Sequence, residues 1–350
     1  LLVAFAALPL TQCSNGGSSD YTQADLAGSW FLTSLYAGPQ VASGTATAWM
    51  RGRISVDSSG VASVVWTEDS AGGSPNPPVS IQYAVDGSGM VTAPAFLSFS
   101  GKMSPAKDLI ASTLSNFPSA SRPSLRIYQK VVPGTTFAAV DLASATFDYH
   151  ILRVGADVGW EHGTASTDAV RVLSLVNRST STGIAPDLSN MATLSVDAEG
   201  VVTAPESPVL KGFLSADKAL LVLTMPISQS PPIHALVVAT RRSGNYGPAD
   251  LGGGWGLSGF VAGSSGEAGW GRGPLSVNGS GRLTFSSWLD SLGDTTVPDP
   301  VTLSVDPAGV VTMLAQPVSE FHGNMAPGKK LIVATATEDV GVWSIYLIVR

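Results

Sequence analysis

The 350 residues contain one cysteine, Cys13, which rules out an intramolecular disulfide. The four histidines, His150, His162, His234 and His322, lie far apart in the chain, and no two have metal-ligand spacing. They read as exposed strand residues. Charged residues make up 13% of the chain, and acids outnumber bases 26 to 19. The net charge is −7 and the pI about 5.0. Nucleic-acid binding needs a basic footprint. The pairs Arg241-Arg242 and Lys329-Lys330 fit strand ends and turns instead. The longest opening apolar run, LLVAFAALPL at 1–10, is too short to cross a bilayer as a helix. No long amphipathic helical pattern and no Gly-x-Ser-x-Gly elbow between a strand and a helix occurs. Calcium loops need several converging carboxylates, whereas each Asp-x-x-Gly stretch carries one, with Glu199 the marginal addition. The residues therefore point to no catalytic constellation, metal or cofactor, and the expectation is a non-enzyme.

Gly, Pro and small or β-branched residues are plentiful: 38 glycines and 23 prolines, within a chain that is 44% hydrophobic. That composition reads as all-β with many turns. The chain also repeats. LSVDAEGVVT at 194–203 and LSVDPAGVVT at 303–312 are nearly identical, and YAVDGSGMVT at 83–92 is a looser copy. Trp49, Trp160 and Trp270 recur at intervals of 111 and 110 residues, and Gly101, Gly212 and Gly323 at 111 and 111. A third anchor opens each copy: DLAGSW at 25–30, DLASAT at 141–146 (with Phe147 in the aromatic's place) and DLGGGW at 250–255. The expected organisation is a leader, anchor and tether over 1–24, then repeats over 25–131, 141–242 and 250–350. In the first repeat the strands fall near 29–36, 45–56, 61–67, 79–85, 90–93, 96–102, 109–114 and 125–130. Asp or Asn first and Gly fourth, as in DSSG at 57–60 and NGSG at 278–281, mark the turns: the acid or amide caps the turn and Gly takes its left-handed position. Eight strands joined by short turns form an antiparallel meander of about 105 residues, a small barrel or sandwich. The alternative is one six-bladed propeller with two blades per repeat, to which SADKALLV at 215–222 bears a likeness.

Two resemblances extend this reading. The Gly-x-Trp of the first strand resembles that of lipocalin-like and avidin-like barrels, which implies an indole closing one barrel end. LTQC at 10–13, after the apolar run, resembles a bacterial lipoprotein signal. It implies export, cleavage and lipidation at Cys13, with Ser14 favouring the outer membrane and a flexible tether following. Gln12 departs from that pattern, which prefers a small residue. A diacylglyceryl group and an amide-linked chain would anchor it stably in the membrane.

Trp49-Met-Arg51-Gly, Trp160-Glu-His162-Gly and Trp270-Gly-Arg272-Gly place a ring and a basic residue two apart, on one face of a strand. Such a face can stack a sugar or hold an anion. The favoured reading is core, since Trp anchors β modules by the area it buries. Trp49, Arg51, Trp160, His162, Trp270 and Arg272 remain candidate ligand residues for a protein or carbohydrate partner. The functional expectation is an envelope-anchored binding or structural protein. A carrier with small apolar ligands inside its barrels, or a hydrolase with a site between modules, are the alternatives. The copies differ most in the 67–78 loop and its equivalents near Ser181 and Ser291, where function is to be sought.

Overall fold

The computed structural model describes residues 21–44, 48–72, 79–96, 98–115, 122–314 and 320–350. Cys13, residues 14–20 of the expected tether and residues 73–78 of the first variable loop lie outside them, whereas residues 21–23 pack on the first barrel, Tyr21 donating to the Met103 carbonyl and Gln23 to that of Tyr83, so the flexible segment expected to reach Gln23 ends earlier. Strands dominate, and the helices are single turns. In the first repeat the strands are β1 (Gly28–Tyr36), β2 (Trp49–Val56), β3 (Val61–Asp69), β4 (Val79–Gln82), β5 (Ala84–Val85), β6 (Met90–Thr92), β7 (Ser100–Met103), β8 (Leu109–Ser115) and β9 (Pro123–Val131). Their order is β4-β3-β2-β1-β9-β8-β7-β6-β5, antiparallel throughout. β4 and β5 are separated only by Tyr83, so together they act as one strand that changes partner. The meander thereby closes into an eight-stranded barrel with no free edge. The second repeat follows the same order, with its fourth strand reduced to Gly183–Ile184, Ser195–Val196 and isolated bridges. In the third, Gly253–Gly263 pairs with both Ala268–Val277 and Val342–Val349. The chain is three tandem barrels, not a propeller.

One end of each barrel is built alike. Trp30 and Trp255 donate their indole N–H to the carbonyls of Leu26 and Leu251, at 2.9 and 2.8 Å. Phe147, buried in barrel 2, lacks that donor. Lys130, Arg241 and Arg350 from the last strands lie over Trp30, Phe147 and Trp255. Each also donates to a main-chain carbonyl of Asp25, Asp141 or Asp250. Those three carboxylates pair with Lys107, Lys218 and Lys329.

The best preserved text is a hairpin at this end. Asp86, Asp197 and Asp306 accept the main-chain N–H groups two and four residues on. The turn glycines Gly89, Gly200 and Gly309 have φ of +83°, +90° and +92°. A Cβ on them would meet the rings of Tyr21, Phe137 and Tyr246 at 2.7, 2.9 and 2.8 Å. Both the left-handed backbone and the ring above it require glycine.

Three hydrophobic clusters fill the barrels, and a fourth lies between them. The fourth draws Leu35, Trp49 and Leu125 from barrel 1, Leu152, Val154 and Leu236 from barrel 2, and Phe260, Trp270 and Val333 from barrel 3. The burial patterns show the cause. β3 alternates buried and exposed, with its outer face in water. β8 and β9 are continuously buried over six and seven residues, because a neighbouring barrel covers their outer face. At the junction of all three barrels, Lys330 of barrel 3 donates to Asp108 of barrel 1 and Asp217 of barrel 2.

Candidate functional site

The six candidate residues from the sequence sit at the three seams between barrels. Trp49, Trp160 and Trp270 are 5, 1 and 4% exposed, and Arg51 and Arg272 are 2 and 8% exposed. The ring-and-cation pairing is present: each guanidinium carbon lies 4.4 Å from its tryptophan ring. What covers the pair is protein. Trp160 donates to Thr337 Oγ1 of barrel 3 at 2.9 Å, and Trp270 to Ser115 Oγ of barrel 1 at 2.7 Å. Strand register places Pro226 of barrel 2 where the other barrels have Ser115 and Thr337. Pro226 has no hydroxyl, and the buried Trp49 Nε1 has no partner among the described residues. Arg51 donates to Glu68 at 2.8 Å, and Lys211 of barrel 2 meets the other oxygen of the same carboxylate. Arg272 donates to the Ser98 and Thr113 carbonyls of barrel 1. Burial pushes both guanidinium groups down to about 10, with Glu68 opposing that fall at Arg51. These residues hold barrels together, and of the six Arg272 also lines a cavity.

The expectation of four exposed histidines is overturned. His150 is fully buried and His234 6% exposed. At the seam of barrels 2 and 3, His150 Nε2 lies 2.9 Å from Asn324 Oδ1, and its Nδ1 lies 3.2 Å from Thr335 Oγ1. His162 stacks on His322 with centroids 4.1 Å apart, beside Trp160. Inspecting each repeat alone misses this group, because its members come from two barrels. Among the described residues no group of three or more His, Cys, Asp or Glu is arranged to hold a metal. Burial holds the imidazoles neutral: His150 is pushed down to about 3 and His162 to about 4.

Two cavities lie beside these residues or inside a barrel. One, of about 340 Å³, lies in the seam of barrels 1 and 3, lined by Lys102, Ser258, Arg272 and Trp288 among others. The other, of about 380 Å³, is the interior of barrel 3 away from the Trp255 end. At the Trp30 end of barrel 1 the space lined by Trp30, Tyr83, Phe99 and Tyr128 is about 10 Å³. Barrel 3 is thus a cup at the end away from Trp255. Its wall includes Leu283, Leu303, Met313 and Ile348, with Phe285, Trp288, Phe321 and Tyr346 as its aromatic part. Glu338 is on the lining too, continuing the inward row Ile332, Ala334, Ala336. Tyr346 and Ser344 from the neighbouring strand both donate to Glu338 Oε1, the latter at 2.6 Å. Burial, and then the adjacent carboxylate, raises the Tyr346 hydroxyl well above its ordinary value. Trp288 leans on Gly271, where a Cβ would lie 2.2 Å from the indole. Trp288, Pro298 and Asp299 come from the variable connection around Ser291.

No family model and no curated protein sequence matches this chain. Among solved structures, it is similar to transferrin-binding protein B of Haemophilus parasuis, at 10% identity and a TM-score of 0.30, over 92% of this chain and 74% of that one. The same protein from serogroup B Neisseria meningitidis gives 10% identity and a TM-score of 0.29, over 92% and 76%. A protein of unknown function from Nostoc punctiforme, of the DUF3598 family, gives 9% and 0.21, over 94% and 98%. TM-scores this low carry no argument; the fold stands on the strand pairing itself.

Glu338 is the cup residue that the sequence reading missed. The signal was there: a carboxylate continues an apolar inward row where the second repeat has Ile227.

Proposed function

We propose that this chain is an exported, non-enzymatic binding protein of the bacterial envelope. A lipid on Cys13 anchors it, and the cup of barrel 3 receives a small, largely apolar ligand. One observation carries the reading. The cup is about 380 Å³ and is walled by Leu283, Leu303, Met313 and Ile348 with four aromatic rings. That volume lies in the range of small-molecule sites, and the lining has the same character: apolar and aromatic walls with few polar groups. Closure by Trp255, Arg350 and Asp250 at the far end leaves the cup one mouth. The anchor rests on LTQC at 10–13, and Cys13 has no disulfide partner to account for it.

A neutral fluorescent probe such as N-phenyl-1-naphthylamine tests the cup. Saturable binding to one site is expected, and Ala336→Phe, which fills the lining, should abolish it. Binding that is absent, or indifferent to the substitution, would overturn the proposal. Cys13→Ser tests the anchor by fractionation: the variant should leave the membrane fraction, and one that stays there sinks the lipid claim.

A further inference from the structure

The cup has a charge of one sign and no counterion. Glu338 and Asp299 both line it, and no Lys, Arg or His does. Neither carboxylate forms an ion pair among the described residues, whereas ion pairs recur elsewhere in the molecule. Barrel 2 offers the contrast. Its inward Glu161 also accepts a hydrogen bond from a barrel tyrosine, Tyr149, at 2.7 Å. There Arg178 supplies the cation, reaching both carboxylate oxygens at 2.8 and 3.0 Å. In barrel 3 a tyrosine and a carboxylate also meet, Tyr346 and Glu338 on other strands of the barrel, but without an arginine. Tyr346 and Ser344 hold the Glu338 carboxylate in place on the wall, and four aromatic rings stand on the lining. Phe285 and Trp288 meet edge to face at 5.1 Å. An anchored carboxylate above aromatic walls attracts a cation twice, by charge and by the ring faces.

Building on the cup proposed above, we infer that its ligand is an organic cation: an amine or quaternary ammonium group carrying a hydrocarbon tail. The tail fills the wall of Leu283, Leu303, Met313 and Ile348. The cationic head rests at the exposed rim between Glu338 and Asp299 and supplies the positive charge that Arg178 supplies to Glu161 in barrel 2. An anion of the same length meets two uncompensated carboxylates and is rejected.

The experiment is a competition on the full chain in detergent-free buffer. Octyltrimethylammonium, octanol and octyl sulfate are titrated against bound N-phenyl-1-naphthylamine. The cation should displace the probe best and the sulfate worst. Glu338→Gln preserves the side-chain shape and its hydrogen bonds, and should weaken the cation about tenfold while leaving octanol unchanged. Asp299→Asn should act in the same direction. If octanol matches the cation, or Glu338→Gln leaves the order unaltered, the cation claim falls and the apolar cup survives. If the probe itself never binds, both fall.

Discussion

Acid will loosen the seam between barrels 2 and 3, and the His150 side chain sets the scale. Its ring is fully buried, with Asn324 and Thr335 of barrel 3 at its two nitrogens. The other titratable groups near it are His162 and His322, which disfavour its protonation, with Glu161 and Glu320 beside those two rings. In the folded protein, burial first and then these imidazoles push His150 down to about 3, against 6.5 for a solvated histidine. From pH 6.5 downward the unfolded chain takes up a proton that the folded chain refuses. The stability is therefore fully present above 6.5 and is lost steadily as the pH falls towards 3. The slope is about 1.4 kcal/mol per pH unit, so moving from pH 7.5 to 5 removes about 2 kcal/mol through this one group. His162, His234 and His322 are all lowered by burial and add in the same sense. The carboxylate of Asp250, held low by Lys329, gives up its share only below about 3.8, so the window from 6.5 to 4.5 belongs to the histidines. Urea unfolding followed by tryptophan emission at pH 7.5 and 5 reads the effect in the wild type and in His150→Gln, whose amide can still meet Asn324. The wild type should lose about 2 kcal/mol more than the variant on acidification. Equal losses would refute the reasoning.

Two further outcomes follow from the seams and the hairpins. Pro226→Thr restores the hydroxyl found at this position in the other barrels and should raise the melting temperature, by roughly 1 kcal/mol of added stability. The gain should vanish in a Trp49→Phe background; a gain that persists there has another source. Gly200→Ala puts a Cβ 2.9 Å from the Phe137 ring on a left-handed backbone. It should cost about 2 kcal/mol or more in denaturant titration, and a neutral result would mean that the hairpin and ring are not packed as described.

The repeat, the strand count and the turns were legible in the sequence because they are local. An Asp at the head of a turn and a Gly with positive φ need nothing beyond their neighbours. The first-repeat strands expected at 61–67, 79–85 and 109–114 lie within or along β3, β4 with β5, and β8. The seams were not legible. Alternation tells which residues of Trp49–Val56 share a face, but not that a second barrel covers that face. The histidine group needs His150 and His162 from one barrel and His322 from another, at contacts that no spacing along the chain encodes. The cup was half legible. Its variable connection near Ser291 stood out because it differs between copies. Its volume depends on how Trp288 and Tyr346 lie against Gly271 and Gly259, which only the folded barrel shows.

The doubly buried strands also bear on how the protein is made. β8, β9 and their counterparts are apolar on the face a lone barrel would turn to water, so barrels 1 and 2 emerge from the ribosome with uncovered flanks. Barrel 3 is synthesised last and touches both. Lys330, Trp270 and Arg272 lock onto Asp108 and Asp217, Ser115 and Ser98, all made before them. Until then those apolar flanks face water, and anything that shields them has a defined moment of release, when barrel 3 docks.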